Sequence, residues 1–294
     1  FDADDDLYVT SLIQGSVRRV RQDGRVRTLD PGGFTFPGGL AVLPQGPPGQ
    51  PDVLWIADFF SLRAVDATSG RELERLPTIP GVSALTAPRT ASADGDGRLV
   101  LSSWILNAVQ VLDAASGQVL ESHPDFAVPL NAVRFQGDLV VAELATGSLV
   151  RADGADPSQR TTLAAGFVIP SGLLADDGDL YVADHALGAV FQVVAGGLPL
   201  SPPQPLALGL AGPEGMALLP DGDLLVVEAA ADRLIRLDPS TGATTTVADG
   251  LALGAPPLPN LPPTWFFNGV AVGADGDAYV SGNVANVVYR VRID

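Results

Sequence analysis

The sequence predicts an all-β fold: a seven-bladed β-propeller of four-stranded antiparallel blades, with six blades as the alternative. Three observations lead there. A phrase of about forty residues returns along the chain, the signature of a repeat architecture. Short alternating apolar runs are punctuated by Asp-Gly, Ser-Gly and Thr-Gly pairs, which suit tight hairpin turns because Gly takes a positive φ cheaply. No stretch carries a sustained helical period with caps, and the most Ala-rich run, residues 228–232, is too short to nucleate a helix alone.

The clearest unit opens at Pro213-Glu214-Gly215 and turns at Asp221-Gly222. It continues through Leu224, Leu225, Val226 and Val227, alternates from Arg233 to Leu237, and turns again at Thr241-Gly242 into a more polar run. These four runs are strands a, b, c and d of one blade. The phrase returns at Pro170-Ser171-Gly172 and at Asn268-Gly269, with weaker copies from Pro37, Pro88 and Asn131. The b strands fall at residues 7–11, 53–58, 99–103, 139–143, 180–184, 224–228 and 278–282, hence seven blades. Such small sheets cannot bury their faces singly and must stack around an axis. The first blade lacks strand a and the last lacks strand d. These are neighbours in the repeat, so one upstream segment of about 20 residues would supply both. The chain reads as a single domain, 1–294, whose N-terminal closing strands are missing. Proline-rich insertions lengthen an a–b turn (45–51), a c–d turn (196–205) and the link into the last blade (251–263). Trp55 and Tyr181, within b strands, are expected in the core.

Composition narrows the function. The chain has 17 basic and 34 acidic residues, a net charge of −17, and every basic residue is Arg. A nucleic-acid partner is excluded, because releasing counterions from phosphates needs a surplus of cations. No apolar run reaches the ~18 residues of a membrane span, so no transmembrane segment is expected. With no Cys and two His, thiolate zinc sites, cysteine nucleophiles and three-histidine metal sites are ruled out. No Ser lies in a Gly-x-Ser-x-Gly elbow, and the glycines follow hairpin spacing without a phosphate loop.

The phrase Pro-x-Gly … Asp-Gly-x-Leu-Tyr-Val-Ala-Asp resembles the NHL-repeat propellers. It is also similar to the senescence-marker/gluconolactonase-like, paraoxonase-like and virginiamycin-lyase-like propellers. The resemblance spans essentially the whole chain. It implies that the residue before the strand-a Gly points into a central channel, where Glu, Asn and Asp side chains hold a divalent cation. Here that position holds Gly38, Arg89, Asn131, Ser171, Glu214 and Asn268. Glu214 and Asn268 match the family's forms, and Asn131 matches with Ala132 in place of Gly. The metal candidates are thus Glu214, Asn268, Asn131 and Ser171, suited to Ca²⁺ or Mg²⁺. Arg89 departs from the pattern and would repel a cation or replace it. No histidine occupies the strand-a position as in the lyase members.

Antiparallel pairing puts the start of strand a and the end of strand b at one end of a blade. That end gathers the acidic groups Asp58, Glu143, Asp184 and Glu228, with aromatics around them. Phe59, Phe60, Trp104, Trp265 and Phe266, together with Arg89, are the ligand-binding candidates, since large apolar loop residues mark a binding surface. Phe34 and Phe36 belong to the same rim. His185 and Asp184 are the catalytic candidates, and His123 could reach the same face. The leading expectation is an extracytoplasmic recognition module binding a protein, glycan or small ligand at an aromatic-rimmed mouth. It would lie outside the cell, in the periplasm or at the cell surface. The alternative is a divalent-metal-assisted hydrolase of the lactonase type, with the cation polarising an ester carbonyl.

Overall fold

The computed structural model describes all residues except 3, 12, 13, 30–32, 36, 38, 44–51, 59, 79–84, 86–89, 95, 96, 157, 255–266, 274, 275, 283, 286 and 294, and only the backbone of 93. The fold is a seven-bladed β-propeller. Seven antiparallel sheets succeed one another along the described chain, and the only helical feature there is one 3₁₀ turn, Ala229–Ala231. The chain divides into two compact units, 1–132 and 133–294.

The first unit holds three sheets. The first is three-stranded: β1 (Leu7–Ser11), β2 (Ser16–Val20) and β3 (Val26–Leu29). β4 (Leu40–Leu43), β5 (Val53–Asp58), β6 (Ser61–Asp66) and β7 (Glu72–Pro77) follow, then β8 (Thr90–Ala93), β9 (Arg98–Ser103), β10 (Ala108–Asp113) and β11 (Gln118–His123). Burial explains the sequence pattern. Strand b has a neighbour on either side and both faces covered, so β5 is buried at every residue. Strand d is the outer edge, so β7 alternates between half-buried and exposed. Trp55 is 1% exposed and anchors an apolar cluster with Leu62, Leu99 and Leu101. Among the described residues the first sheet has three strands, in the order β1-β2-β3.

The unit boundary falls inside β12 (Pro129–Phe135), which pairs with β13 (Asp138–Glu143), followed by β14 (Ser148–Ala152) and β15 (Arg160–Ala165). The next sheets are β16 (Pro170–Asp176), β17 (Asp179–Asp184), β18 (Ala189–Ala195) and β19 (Leu198–Leu208), then β20 (Pro213–Leu218), β21 (Leu224–Glu228), β22 (Arg233–Leu237) and β23 (Thr244–Ala248). The last is three-stranded: β24 (Val270–Val272), β25 (Ala278–Gly282) and β26 (Val287–Val291). Tyr181, 4% exposed, packs with Val190, Leu224 and Ile235.

Two features differ from the expected pattern. Residues 196–205 are no loop: Gly196-Gly197 makes a tight turn, and the prolines lie in the eleven-residue β19. An outer edge strand tolerates Pro because an N–H facing solvent can be missing without loss, and the ladder to β18 absorbs the irregularity by register shifts. Of 251–263, Leu251 and Leu253 are buried in a core cluster with Leu225 and Val280, and 255–263 lie outside the described residues, as do 45–51.

The a strands start irregularly. The β20–β21 ladder steps from Pro213–Glu228 to Met216–Val226, which leaves one extra residue on β20, a bulge at Glu214-Gly215. A similar bulge at Ser171 separates Pro170–Asp184 from Gly172–Ala183. Bulges re-aim side chains, and here they turn the x of Pro-x-Gly toward the following blade. Gly215 is fixed by contact: a Cβ on it would stand 2.7 Å from Asn268 O and 2.9 Å from Gly269 Cα.

Candidate functional site

In the second unit the re-aimed residues reach from one blade to the next. Ser171 Oγ faces Pro213 O at 2.8 Å and Ala183 O at 3.2 Å. Glu214, 4% exposed, accepts two hydrogen bonds on Oε2. One comes from the Asn268 main-chain N–H at 2.6 Å and the other from Asn268 Nδ2 at 2.8 Å. These side chains therefore hold successive inner strands together.

Glu214 Oε1 has a different neighbour. It lies 3.6 Å from His185 Nδ1, a buried nitrogen that makes no hydrogen bond. Among the described residues Oε1 accepts no hydrogen bond either. His185 is positioned from three sides. Its main-chain N–H donates to Ile169 O at 2.9 Å. Its ring packs over Gly212, where any side chain would collide with it. The Phe267 ring stands 5.6 Å away, tilted by 39°. The imidazole is 31% exposed, so the pair sits one side chain beneath the surface.

Electrostatics follow from burial. Removal from water pushes the Glu214 carboxyl up to about 7, against the Asn268 hydrogen bonds that hold it down. No guanidinium figures among the causes. Burial also lowers the His185 imidazole, opposed by the adjoining Asp184, which keeps the ring neutral at neutral pH. The centre is a buried carboxyl and a neutral imidazole whose facing atoms, Oε1 and Nδ1, stand 3.6 Å apart.

Asp184 has another occupation. It is fully buried, and its two oxygens accept from the backbone N–H groups of Val168 (2.6 Å), Ile169 (3.1 Å), Ala186 (3.0 Å) and Leu187 (2.9 Å). A carboxylate engaged by four backbone donors ties the strand end to the turn that follows it and to the chain entering the blade. The device repeats at the ends of b strands. Asp58 accepts from Thr35 N–H at 2.9 and 3.0 Å. Glu228 accepts from Ala211 N–H at 2.7 Å and from Arg233. Glu143 accepts from Thr146 Oγ1 at 2.7 Å. These acids fasten the chain that enters or leaves each blade corner.

The other candidates separate. Phe59, Arg89, Trp265 and Phe266 lie outside the described residues, with Gly38 and Phe36. In the first unit Phe60 is 52% exposed, Trp104 is half-buried in the turn after β9, and Asn131 is half-buried on β12. Phe34 is core rather than rim: it is buried, with the Arg63 guanidinium 4.1 Å from its ring centre. His123 is buried against Glu121 on its own strand, at 2.9 Å. Sequence reading missed Phe267, whose neighbours Trp265 and Phe266 it had picked out, and Arg63. The buried Arg63 joins Glu72 (2.7 Å) and Gly33 O (2.7 Å) in the first unit.

The cation set implied by resemblance does not fit the described residues. No group of three or more His, Asp or Glu gathers among them. The Asn268 amide turns its nitrogen to Glu214, and the Ser171 hydroxyl faces two carbonyls. Ca²⁺ needs six to eight converging oxygens, and Mg²⁺ six.

No protein-family model matches the chain, and no curated protein matches it significantly. Solved structures do. A streptogramin B lyase is similar at a TM-score of 0.73 and 12% identity, over 100% of this chain and 91% of that one. A hydrazine synthase from Kuenenia stuttgartiensis gives 0.71 and 17%, over 98% and 92%. The extracellular domain of a one-component system from B. thetaiotaomicron gives 0.62 and 11%, over 98% of this chain and 38% of that one. At these identities the likeness establishes the propeller fold and no particular activity.

Proposed function

We propose that this propeller is a recognition module, acting outside the cytoplasm, that binds a small ligand at Glu214, His185 and Phe267. The observation that carries this reading is the buried His185 Nδ1, which makes no hydrogen bond among the described residues and lies 3.6 Å from Glu214 Oε1. Leaving a buried polar atom unsatisfied costs about 1–3 kcal/mol, and such atoms are exceptional in folded proteins. A ligand group that hydrogen-bonds to Nδ1 relieves that cost. The extracytoplasmic part is supported by the similar extracellular domain, and no helix among the described residues is long and apolar enough to cross a membrane.

The test is a screen of small molecules of every charge class, followed by nuclear magnetic resonance of the His185 ring. Hits that shift those ring signals and disappear with His185→Ala support the reading. A screen in which no hit depends on His185 refutes it. Metal-assisted hydrolysis has less behind it, because Asn268 and Ser171 are engaged with Glu214 and with main-chain carbonyls. It predicts that Ca²⁺ or Mg²⁺ raises the melting temperature and that Glu214→Gln abolishes the shift.

A further inference from the structure

We propose that the Glu214–His185 pair recognises a protonated organic amine, an inference that rests on the recognition reading and names its ligand class. Glu214 is buried with neutral partners only: two Asn268 donors on Oε2 and the imidazole beside Oε1. In its ionised form a buried carboxylate is ordinarily paired with a cation, and none of the described arginines pairs with this one. A ligand bearing positive charge supplies the missing counter-ion.

Geometry narrows the cation. With the proton of the neutral imidazole on Nε2, Oε1 and Nδ1 are two acceptors 3.6 Å apart, and a single ammonium nitrogen set to one side of the line joining them is within hydrogen-bond reach of both. An ammonium carries several N–H donors and satisfies both at once. A hydroxyl has one proton and satisfies one. Hard divalent cations require many more oxygens than this pair provides. The flanking Phe267 ring, 5.6 Å from the imidazole, adds a π face of the kind that attracts a cation and covers its carbon substituents.

The experiment titrates the full chain calorimetrically with methylammonium, butylammonium and benzylammonium, and in parallel with benzyl alcohol, benzoate and the chlorides of Ca²⁺, Mg²⁺ and Zn²⁺. Benzylammonium should bind more tightly than benzyl alcohol. Glu214→Gln and His185→Ala should each weaken ammonium binding roughly 10- to 100-fold, as loss of a hydrogen bond to a charged group does. Leu198→Ser, at an exposed outer-strand position, should leave it unchanged. Circular dichroism confirms that each variant is folded. The amine inference is overturned if no ammonium binds, if the alcohol binds as well as the ammonium, or if Glu214→Gln leaves ammonium affinity intact. Binding of benzoate or a metal ion that depends on His185, without ammonium binding, overturns the amine and keeps the recognition site. Absence of any His185-dependent binding removes both.

Discussion

Glu214→Gln should change stability in a strongly pH-dependent way. The Glu214 carboxyl has an ordinary value of 4.5 and is pushed up to about 7 in the folded chain. The folded state therefore holds its proton more tightly than the unfolded state. Below pH 4.5 both states are protonated, and the site costs nothing further. Between 4.5 and 7 the unfolded chain releases the proton while the folded chain keeps it, so stability falls as pH rises. Above 7 the full loss is present, about 3 kcal/mol at 1.36 kcal/mol per unit. Glutamine has no proton to lose. Its oxygen can still accept from Asn268, and its amide nitrogen faces the lone pair of His185. The variant should thus match the wild type near pH 4.5 and exceed it by up to about 3 kcal/mol at pH 8. In a unit of this size that is a rise of roughly 6–12 °C in melting temperature. Thermal melts of both proteins from pH 4.5 to 8.5, with a carbon-13 titration of the Glu214 carboxyl, measure it. A stability difference that stays constant across this range would refute the reasoning, because the carboxyl would then not be held protonated by burial.

Further outcomes follow from the same geometry. Asp184→Ala removes the acceptor of four backbone donors and should cost more than about 2 kcal/mol by urea unfolding, whereas ligand hits at His185 should be retained in the folded fraction. Gly215→Ala forces a Cβ to within 2.7 Å of Asn268 O and should destabilise by at least about 2 kcal/mol. Gly269→Ala meets only Ser281 Oγ at 3.9 Å and should stay within about 1 kcal/mol of the wild type in the same unfolding series. Arg63→Ala strips the buried cation from Glu72 and from Asp58, 3.8 Å away, and should cost about 3–5 kcal/mol, with Arg63→Met recovering part of it in chemical denaturation.

The sequence by itself determined the blades. Each b strand was readable because a strand flanked on both sides and covered on both faces is continuously apolar, and that pattern is local. The expected runs 53–58, 224–228 and 278–282 coincide with β5, β21 and β25, and 99–103, 139–143 and 180–184 begin one residue inside β9, β13 and β17. Strand-a positions were readable too, since Pro-x-Gly at 37–39, 170–172 and 213–215, with its weaker copies, recurs at a fixed place in the repeat.

What the x residues do was decided by tertiary structure. The letters of Glu214, Asn268 and Ser171 suit cation ligands, but Glu214 Oε2, the Asn268 amide nitrogen and the Ser171 hydroxyl are engaged between blades, which no spacing within one repeat encodes. Asp184 and His185 are adjacent in the chain and go opposite ways. The acid closes on the backbone of its own blade corner, and the imidazole turns to Glu214, 29 positions along the chain. Local pattern records which groups want burial. Only packing decides which of them meet, because a contact between blades depends on the bulge that aims a side chain and on the glycine that lets the next strand approach.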